Sequence, residues 1–170
     1  IRGGSSHIKF KNSYFYTKDN GGSSTFVLTN ASYISVDSSS IIGEGNVGNL
    51  IYMNVYNMEL PDGVYLPQIL VMLKNGELEL NDHNNFTNCY VKGPEESSGI
   101  CILVQNMGSG HNIFENNTFV YGGTDLNVGN YGIAKNNTLV GGCGLSTGEN
   151  SVISDNVMEG ELSVGANALV

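Results

Sequence analysis

The sequence is poor in several residue types, and each shortage narrows what the chain can be. Among 170 residues there are no Trp, three Pro and three Cys, and only seven Lys and Arg stand against 16 Asp and Glu. A nucleic-acid-binding protein needs a basic stripe, so the net charge of -9 argues against nucleic acid as a partner. The cysteines, Cys89, Cys101 and Cys143, form no C-x-x-C pair and no even-numbered disulfide framework, which leaves their redox state open.

Long apolar runs are missing as well. The longest, 69–73, is far too short to cross a bilayer, so the sequence predicts no membrane span in this segment. Strong helix formers are sparse and apolar residues do not recur every 3.6 positions, whereas Gly and Asn are abundant. The chain begins without a Met and ends without a visible cap. We therefore expect one domain, residues 1–170, that forms a segment of a longer protein.

The sequence does contain a repeat. The phrase FENNTFVYGG at 114–123 returns as AKNNTLVGG at 134–142, and the pattern extends in both directions as an apolar anchor followed five positions later by another apolar residue. The anchors are Phe10, Val36, Val55, Phe86, Phe114, Ala134 and Ile153. The residue after the anchor is usually polar, and this alternation indicates a strand. A second, weaker strand precedes several anchors, as in FVLTN at 26–30 and GICILVQN at 99–106.

Two positions after each anchor stands Asn, Ser or Asp. These residues are Asn12, Ser38, Asn57, Asn88, Asn116, Asn136 and Asp155. Asn tolerates left-handed backbone angles, and its amide can both donate and accept hydrogen bonds. We expect the seven residues to stack at a bend as an inward-facing structural ladder, in which the amides of Asn116 and Asn136 bond to each other.

Recurrence of the same residue types once per repeat predicts a solenoid of about seven turns, stacked roughly 4.8 Å apart. An antiparallel sandwich is the alternative, because short strands with turn signals suit it too. The stretch HNIFENNTFVYGGTDLNVGNYGIAKNNTLVGG resembles the parallel β-helix repeats of the pectin-lyase-like superfamily, above all the Asn-rich repeats of NosD-type proteins and of adhesin-like surface proteins of methanogenic archaea. The resemblance implies an all-β fold, a right-handed single-stranded parallel β-helix. It leaves the function open, because this superfamily holds lyases, hydrolases, adhesins and scaffolds.

Two catalytic constellations implied by this resemblance are incomplete. A pectate-lyase site needs clustered Asp residues and an Arg base, but Arg2 is the sole Arg of the chain. A polygalacturonase site needs paired Asp residues and Gly-His-Gly, and GSGHN at 108–112 lacks the second Gly. We therefore assign no catalytic residue and favour a non-catalytic structural or adhesive module of an extracellular or cell-surface protein. The alternative is a polysaccharide lyase or glycoside hydrolase whose catalytic residues lie outside this segment.

Two groups of residues are candidates for binding a metal. Acidic side chains in the turns form a rim that could hold Ca²⁺, unless it is simply a solvated edge that keeps the protein soluble. The rim consists of Asp19, Glu44, Asp62, Glu95, Glu96, Asp125, Glu159 and Glu161. His83 and His111 occupy the same position in adjacent repeats, a column shared with His7, Tyr33 and Tyr131, and are candidates for a transition-metal site. Apart from Ca²⁺ and a transition metal at this histidine pair, no cofactor is suggested.

The two longest turns, 61–68 and 92–98, are candidates for a binding face, because insertions in solenoids map to loops. Tyr65, Tyr90 and Tyr121 lie near them and could stack on a carbohydrate or another surface ligand. Simple turn filler is the alternative. The last repeat, ELSVGANALV, repeats a strand without a cap, which predicts end-to-end self-association of the isolated segment.

Overall fold

Short strands separated by frequent turns are what a chain rich in Gly and Asn should form. The computed structural model describes residues 1, 6–19, 24–29, 31–45, 49–54, 83–94, 102–106, 110–121 and 126–170. Within these ranges the chain forms 18 β-strands and no helix. Consequently, no described segment is a helix long and apolar enough to span a membrane.

The strands belong to three sheets, each with six strands in the described part of the chain, and the strands of each sheet run parallel. The first sheet consists of β1 (Lys9–Lys11), β4 (Ser35–Asp37), β7 (Asn85–Thr87), β10 (Ile113–Glu115), β13 (Ile133–Lys135) and β16 (Val152–Ser154). The second consists of β2 (Tyr14–Asp19), β5 (Ser40–Gly45), β8 (Tyr90–Lys92), β11 (Thr118–Val120), β14 (Thr138–Val140) and β17 (Val157–Met158). The third consists of β3 (Ser24–Thr29), β6 (Asn49–Asn54), β9 (Ile102–Asn106), β12 (Leu126–Asn127), β15 (Leu145–Ser146) and β18 (Leu162–Ser163).

The chain visits the three sheets in turn, and each strand pairs with the strand three elements later. This stacking of parallel strands is compatible with a parallel β-helix, and it excludes the antiparallel sandwich. Parallel strands that follow one another so regularly leave equivalent residues of successive repeats in one column.

The core is built from such columns. In the first sheet the anchors pair directly, for example Val36 with Phe86 and Phe114 with Ala134, and these four side chains are buried. The rings of Phe86 and Phe114 stack with centroids 5.2 Å apart. The second sheet contributes Ile41, Val91, Phe119 and Leu139, which are fully buried, in the position five residues after the anchors. Each such side chain contributes about 1.5–3 kcal/mol by its removal from water.

One predicted turn is wrong. Because Val36 pairs directly with Phe86, no turn anchored at Val55 lies between β4 and β7. The stretch just before Val55 is β6, which pairs with β3 in the third sheet. The apolar alternation of a strand does not show which sheet the strand joins, and this is why the repeat alignment placed an anchor here. Val55 and the ladder residue Asn57 themselves lie outside the described residues.

Candidate functional site

Two bends in each turn are built on residues with a left-handed backbone. We call the bend between the first and second sheets the amide bend. Here φ lies between 50° and 58° at six of the predicted ladder residues, namely Asn12, Ser38, Asn88, Asn116, Asn136 and Asp155. Residues other than Gly rarely adopt this conformation, and Asn and Asp do so most readily, which explains their recurrence at this position.

The expectation that this ladder faces inward is wrong, since all six side chains are exposed. They do make contacts along the outside of the bend. Asn136 Nδ2 donates to Asn116 Oδ1 at 2.7 Å, and Asn88 Nδ2 donates to Asp37 Oδ1 at 2.9 Å. A left-handed residue interrupts the alternation of a strand. Its own side chain therefore points outward, and the next residue turns inward.

The buried ladder lies at that next position. It runs through Ser39, Cys89, Asn117, Asn137 and Asn156, of which the first four are buried. Each amide oxygen accepts the backbone N–H of the equivalent residue one turn earlier: Cys89 N donates to Asn117 Oδ1 at 2.8 Å, and Asn117 N to Asn137 Oδ1 at 3.1 Å. The amide nitrogens of Asn117 and Asn137 donate to buried backbone carbonyls of the preceding turn, those of Phe86 and Phe114. These side chains thus satisfy the polar groups that the bend leaves unpaired.

Two cysteines are buried as free thiols, Cys89 and Cys143. Cys89 belongs to the buried ladder, and its Sγ lies 3.2 Å from the Thr87 carbonyl oxygen. Burial raises the pKa of the Cys89 thiol, so the group stays protonated and weakly reactive at neutral pH. Cys101 lies outside the described residues.

The bend between the third and first sheets, which we call the ring bend, carries the column that includes His83 and His111. In the first five turns its outer side chains are His7, Tyr33, His83, His111 and Tyr131, all with φ between 51° and 59°. Their rings form one continuous stack, the ring column, with centroids 4.9 to 5.0 Å apart and interplanar angles of 8° to 11°. The spacing matches the distance between neighbouring strands, because each ring belongs to a successive turn.

This stacking bears on the two metal hypotheses. Lone pairs of an imidazole lie in the ring plane, so those of His83 and His111 run side by side and do not converge on one ion. The described part of the acidic rim is divided: Asp19 and Glu44 lie on the paired strands β2 and β5, whereas Glu159 and Glu161 follow β17 at the far end of that sheet. Asp62, Glu95, Glu96 and Asp125 lie outside the described residues. Among those described, no three His, Cys, Asp or Glu are grouped to hold a metal ion.

A different surface brings together groups suited to a ligand. On the outer face of the second sheet, Tyr14 and Tyr16 on β2 are 66% and 46% exposed, and Tyr90 on β8 and Tyr121 after β11 are 40% and 36% exposed. The rings of Tyr14 and Tyr16 lie nearly parallel, with centroids 6.2 Å apart. We call these four residues the tyrosine face. The strand alternation explains them, because Phe15, between Tyr14 and Tyr16, points toward the core.

A cleft of about 320 Å³ opens beside the tyrosine face and is lined by residues 42–45 and 92–94. The Tyr16 hydroxyl donates to Glu44 Oε2 at 2.7 Å, and this hydrogen bond raises the pKa of the tyrosine, which therefore remains a donor. On the other side, Lys92 Nζ lies 5.8 Å from the centroid of the Tyr121 ring. The cleft thus offers one carboxylate, one ammonium group and flat rings at its margins, a set that can bind hydroxyl groups and an apolar face together.

Sequence reasoning found half of this surface. Tyr90 and Tyr121 were predicted as ligand contacts, and both belong to the tyrosine face. Tyr14 and Tyr16 were missed because they lie on a strand instead of near a long turn. Their signal is the alternation Tyr-Phe-Tyr at 14–16, which puts two rings on the outer face of one strand. Tyr65 lies outside the described residues.

Searches of family models, curated proteins and solved structures found no match to this chain. The case for a function therefore depends on the geometry of the tyrosine face and the cleft.

Proposed function

We propose that this chain is a non-catalytic, adhesive β-helix module of an extracellular or cell-surface protein, and that the tyrosine face binds carbohydrate. The fold in this proposal is a right-handed helix of about seven turns. Six complete sets of strands lie in the described residues, and a parallel bridge between Val152 and Leu169 begins another turn. Right-handedness is supported by the strong preference of parallel strand connections for that hand.

The stacked architecture supports a role in display. Each turn contacts mainly its neighbours, so the rod is stiff along its axis and holds surface side chains at fixed spacings. Tyr14 and Tyr90 stand in the same column, separated by Ser40. Their backbones are therefore about 9.6 Å apart, two strand spacings. A flat surface of this length suits a chain of sugar units better than a compact small molecule.

The observation that carries the proposal is the group of four exposed tyrosine rings, two of which, Tyr16 and Tyr121, contact the cleft residues Glu44 and Lys92. A pyranose ring has an apolar C–H face and a rim of hydroxyl groups. Tyr rings supply a rigid surface for the C–H face. Glu44 provides an acceptor and Lys92 a donor for the hydroxyl groups. A monomeric protein rarely leaves several aromatic rings exposed on one face without a binding role.

Glycan binding to the purified protein tests this proposal. A glycan array identifies a ligand, and calorimetry then compares wild type with Tyr14→Ala and Tyr90→Ala. Loss of one aromatic contact should weaken binding by about 2- to 12-fold. Val157→Ala is the matched control, because Val157 is 64% exposed in the same column of the same sheet but far from the cleft.

Two outcomes would contradict the proposal. One is the absence of any glycan binding by the wild-type protein at millimolar ligand, and the other is an equal loss of affinity in Val157→Ala. Release of new reducing or unsaturated ends from a bound polysaccharide would instead support the carbohydrate-active enzyme.

A further inference from the structure

The spacing of two residues on the tyrosine face narrows the choice of ligand. Tyr14 on β2 pairs with Ser40 on β5, and Ser40 pairs with Tyr90 on β8, so one small residue separates the two rings in this column. Their backbones are therefore about 9.6 Å apart, two strand spacings. Both rings lie on the outer face of the second sheet and are 66% and 40% exposed. A ligand that contacts both rings must present equivalent surfaces at that interval.

The column that holds the two tyrosines runs nearly straight along the rod. Neighbouring rings of the ring column are inclined to each other by only 8° to 11°, which shows that successive turns are rotated very little. Beyond Tyr90 the same column of the second sheet continues with Thr118 and Thr138. Their hydroxyl groups can donate and accept hydrogen bonds. The column thus suits a ligand that is itself long, straight and rich in hydroxyl groups.

Linkage geometry decides which sugar chains match this interval. In a β-1,4-linked chain of glucose or mannose units both bridging bonds are equatorial, so the chain is extended and each unit is turned over relative to the one before. The same face therefore recurs at every second unit. Each unit advances the chain by about 5 Å, the span of a six-membered ring of ~1.5 Å bonds with its bridging oxygen, so two units match the interval from Tyr14 to Tyr90. An α-1,4 linkage has one axial bond, which coils the chain and removes the match.

Charge narrows the ligand further. The chain has a net charge of -9, and a field of this sign repels a polyanionic sugar chain. At the cleft, the negative charge of Glu44 opposes the positive charge of Lys92, so the site itself has no excess of positive charge to attract an anion. A neutral chain is not repelled, and its hydroxyl groups can bond to both side chains.

We propose that the tyrosine face binds a neutral β-1,4-linked polysaccharide laid along the rod, with Tyr14 and Tyr90 stacked on like faces of sugars two units apart. This inference rests on the proposed function, because it takes carbohydrate as the ligand. It adds the linkage, the charge and the direction of the bound chain. The smallest ligand that contacts both rings is then a trisaccharide.

Two glucose hexasaccharides that differ only in linkage test the inference on the wild-type protein. Cellohexaose is β-1,4-linked and maltohexaose is α-1,4-linked. Calorimetry should show roughly 2- to 12-fold tighter binding of cellohexaose, the effect of one additional aromatic contact. Cellotriose should exceed cellobiose by a similar factor, because only the trisaccharide reaches both rings.

The double variant Ser40→Tyr/Tyr90→Ser is matched to wild type in composition and moves the second ring to within about 4.8 Å of Tyr14 along the column. It should lose the gain of cellotriose over cellobiose. Should it fail to fold, the two hexasaccharides decide with wild type alone.

Three results would overturn the inference while leaving glycan binding intact. They are equal or tighter binding of maltohexaose, tighter binding of the anionic hexagalacturonate, and a gain of cellotriose over cellobiose that persists in the double variant. Absence of binding to any glycan would overturn the proposed function together with this inference.

Discussion

The amide bend and the ring bend solve the same problem with different side chains. At both, a left-handed residue lies at least partly exposed on the outside and the residue after it turns inward. At both, buried Asn side chains accept a backbone N–H from the preceding turn, as Asn117 does from Cys89 and Asn84 does from Ile34. The outer positions differ, with short polar groups at one bend and, from His7 to Tyr131, stacked rings at the other. The inner amide therefore couples the turns, and the outer side chain can vary.

The inner columns of the two bends are not equally continuous. At the amide bend the bonded amides run without interruption through Asn117, Asn137 and Asn156. At the ring bend the same column reads Ile34, Asn84, Asn112, Gly132 and Ser151. At Gly132 a side chain would not fit, because a Cβ there would meet the Val128 carbonyl oxygen. The amide bend is thus the more uniform of the two connections, and its inner column should be the more sensitive to substitution.

The largest expected effect comes from the inner column. Asn117→Leu should destabilise the fold by about 3 kcal/mol, because it leaves the buried Cys89 N–H unpaired and removes the amide donor to the Phe86 carbonyl oxygen. Asn117→Ser should cost less, because Ser39 already serves in this column: its Oγ accepts the backbone N–H of Ser13, one turn earlier. Urea unfolding of wild type and the two variants gives the free energy of unfolding of each protein, and therefore their order of stability. A loss for Asn117→Leu below 1 kcal/mol would mean that the turns are not coupled through their amides.

An intermediate effect is expected one residue earlier, on the outside of the bend. Asn116→Leu should cost about 1–2 kcal/mol, chiefly the strain of a left-handed Leu, because its lost amide contact is solvent-exposed. Asn116→Gly relieves that strain and should cost less than Asn116→Leu. If Asn116→Leu proves more destabilising than Asn117→Leu, the inner position does not contribute more to stability than the outer position, and our assignment of the two is wrong.

The smallest effect concerns Asp37, at the outer edge of the amide bend. Hydrogen bonds from the Asn88 amide and the Ser38 hydroxyl, with Lys11 Nζ 3.6 Å away, hold the pKa of this carboxyl below its usual value. The carboxylate therefore stabilises the fold above its unfolded pKa, and this contribution is lost as the pH falls through the folded pKa. The difference in urea midpoint between wild type and Asp37→Asn should be small at pH 6, should decrease only below about pH 4, and should vanish once the pH is below the folded pKa. A difference that grows on acidification would show that Asp37 is not stabilised as the anion.

Alignment of the repeats identified the positions of both bends, but at the amide bend it assigned the inward-facing position to the wrong residue. Asn116 and Asn117 are both Asn, so the sequence does not show which of the two faces inward. The signal was in the next column, which reads Ser13, Ser39, Cys89, Asn117, Asn137 and Asn156, all small or hydrogen-bonding and never charged. A column that must stay uncharged in every turn is buried, whereas the outer column admits Asp155. The anchor at Val55 failed for another reason, because strand periodicity does not record which sheet a strand joins.

The candidate site was harder to predict than the fold. The tyrosine face is assembled from β2, β8 and the end of β11. Tyr14 on β2 and Tyr90 on β8 are more than seventy residues apart in the sequence. Only the direct pairing of β4 with β7, and of β5 with β8, brings these rings onto one surface. The repeat alignment inserted an additional turn between them, and that turn would have moved the rings apart. The additional turn therefore adds to the first cause of the incomplete site, which is that Tyr14 and Tyr16 lie on a strand instead of near a long turn.

The unequal spacing of the paired anchors has a consequence for the order of folding. Ala134 and Ile153 pair across 19 residues, and Phe114 and Ala134 across 20, whereas Val36 and Phe86 pair across 50. Closing the longest of these loops costs about 0.9 kcal/mol more chain entropy than closing the shortest. In a linear array whose turns stabilise only their neighbours, the nucleus forms where closure is cheapest. We therefore expect the later repeats to fold first. The pairing of β4 with β7 should be the slow step that precedes folding of the N-terminal turns.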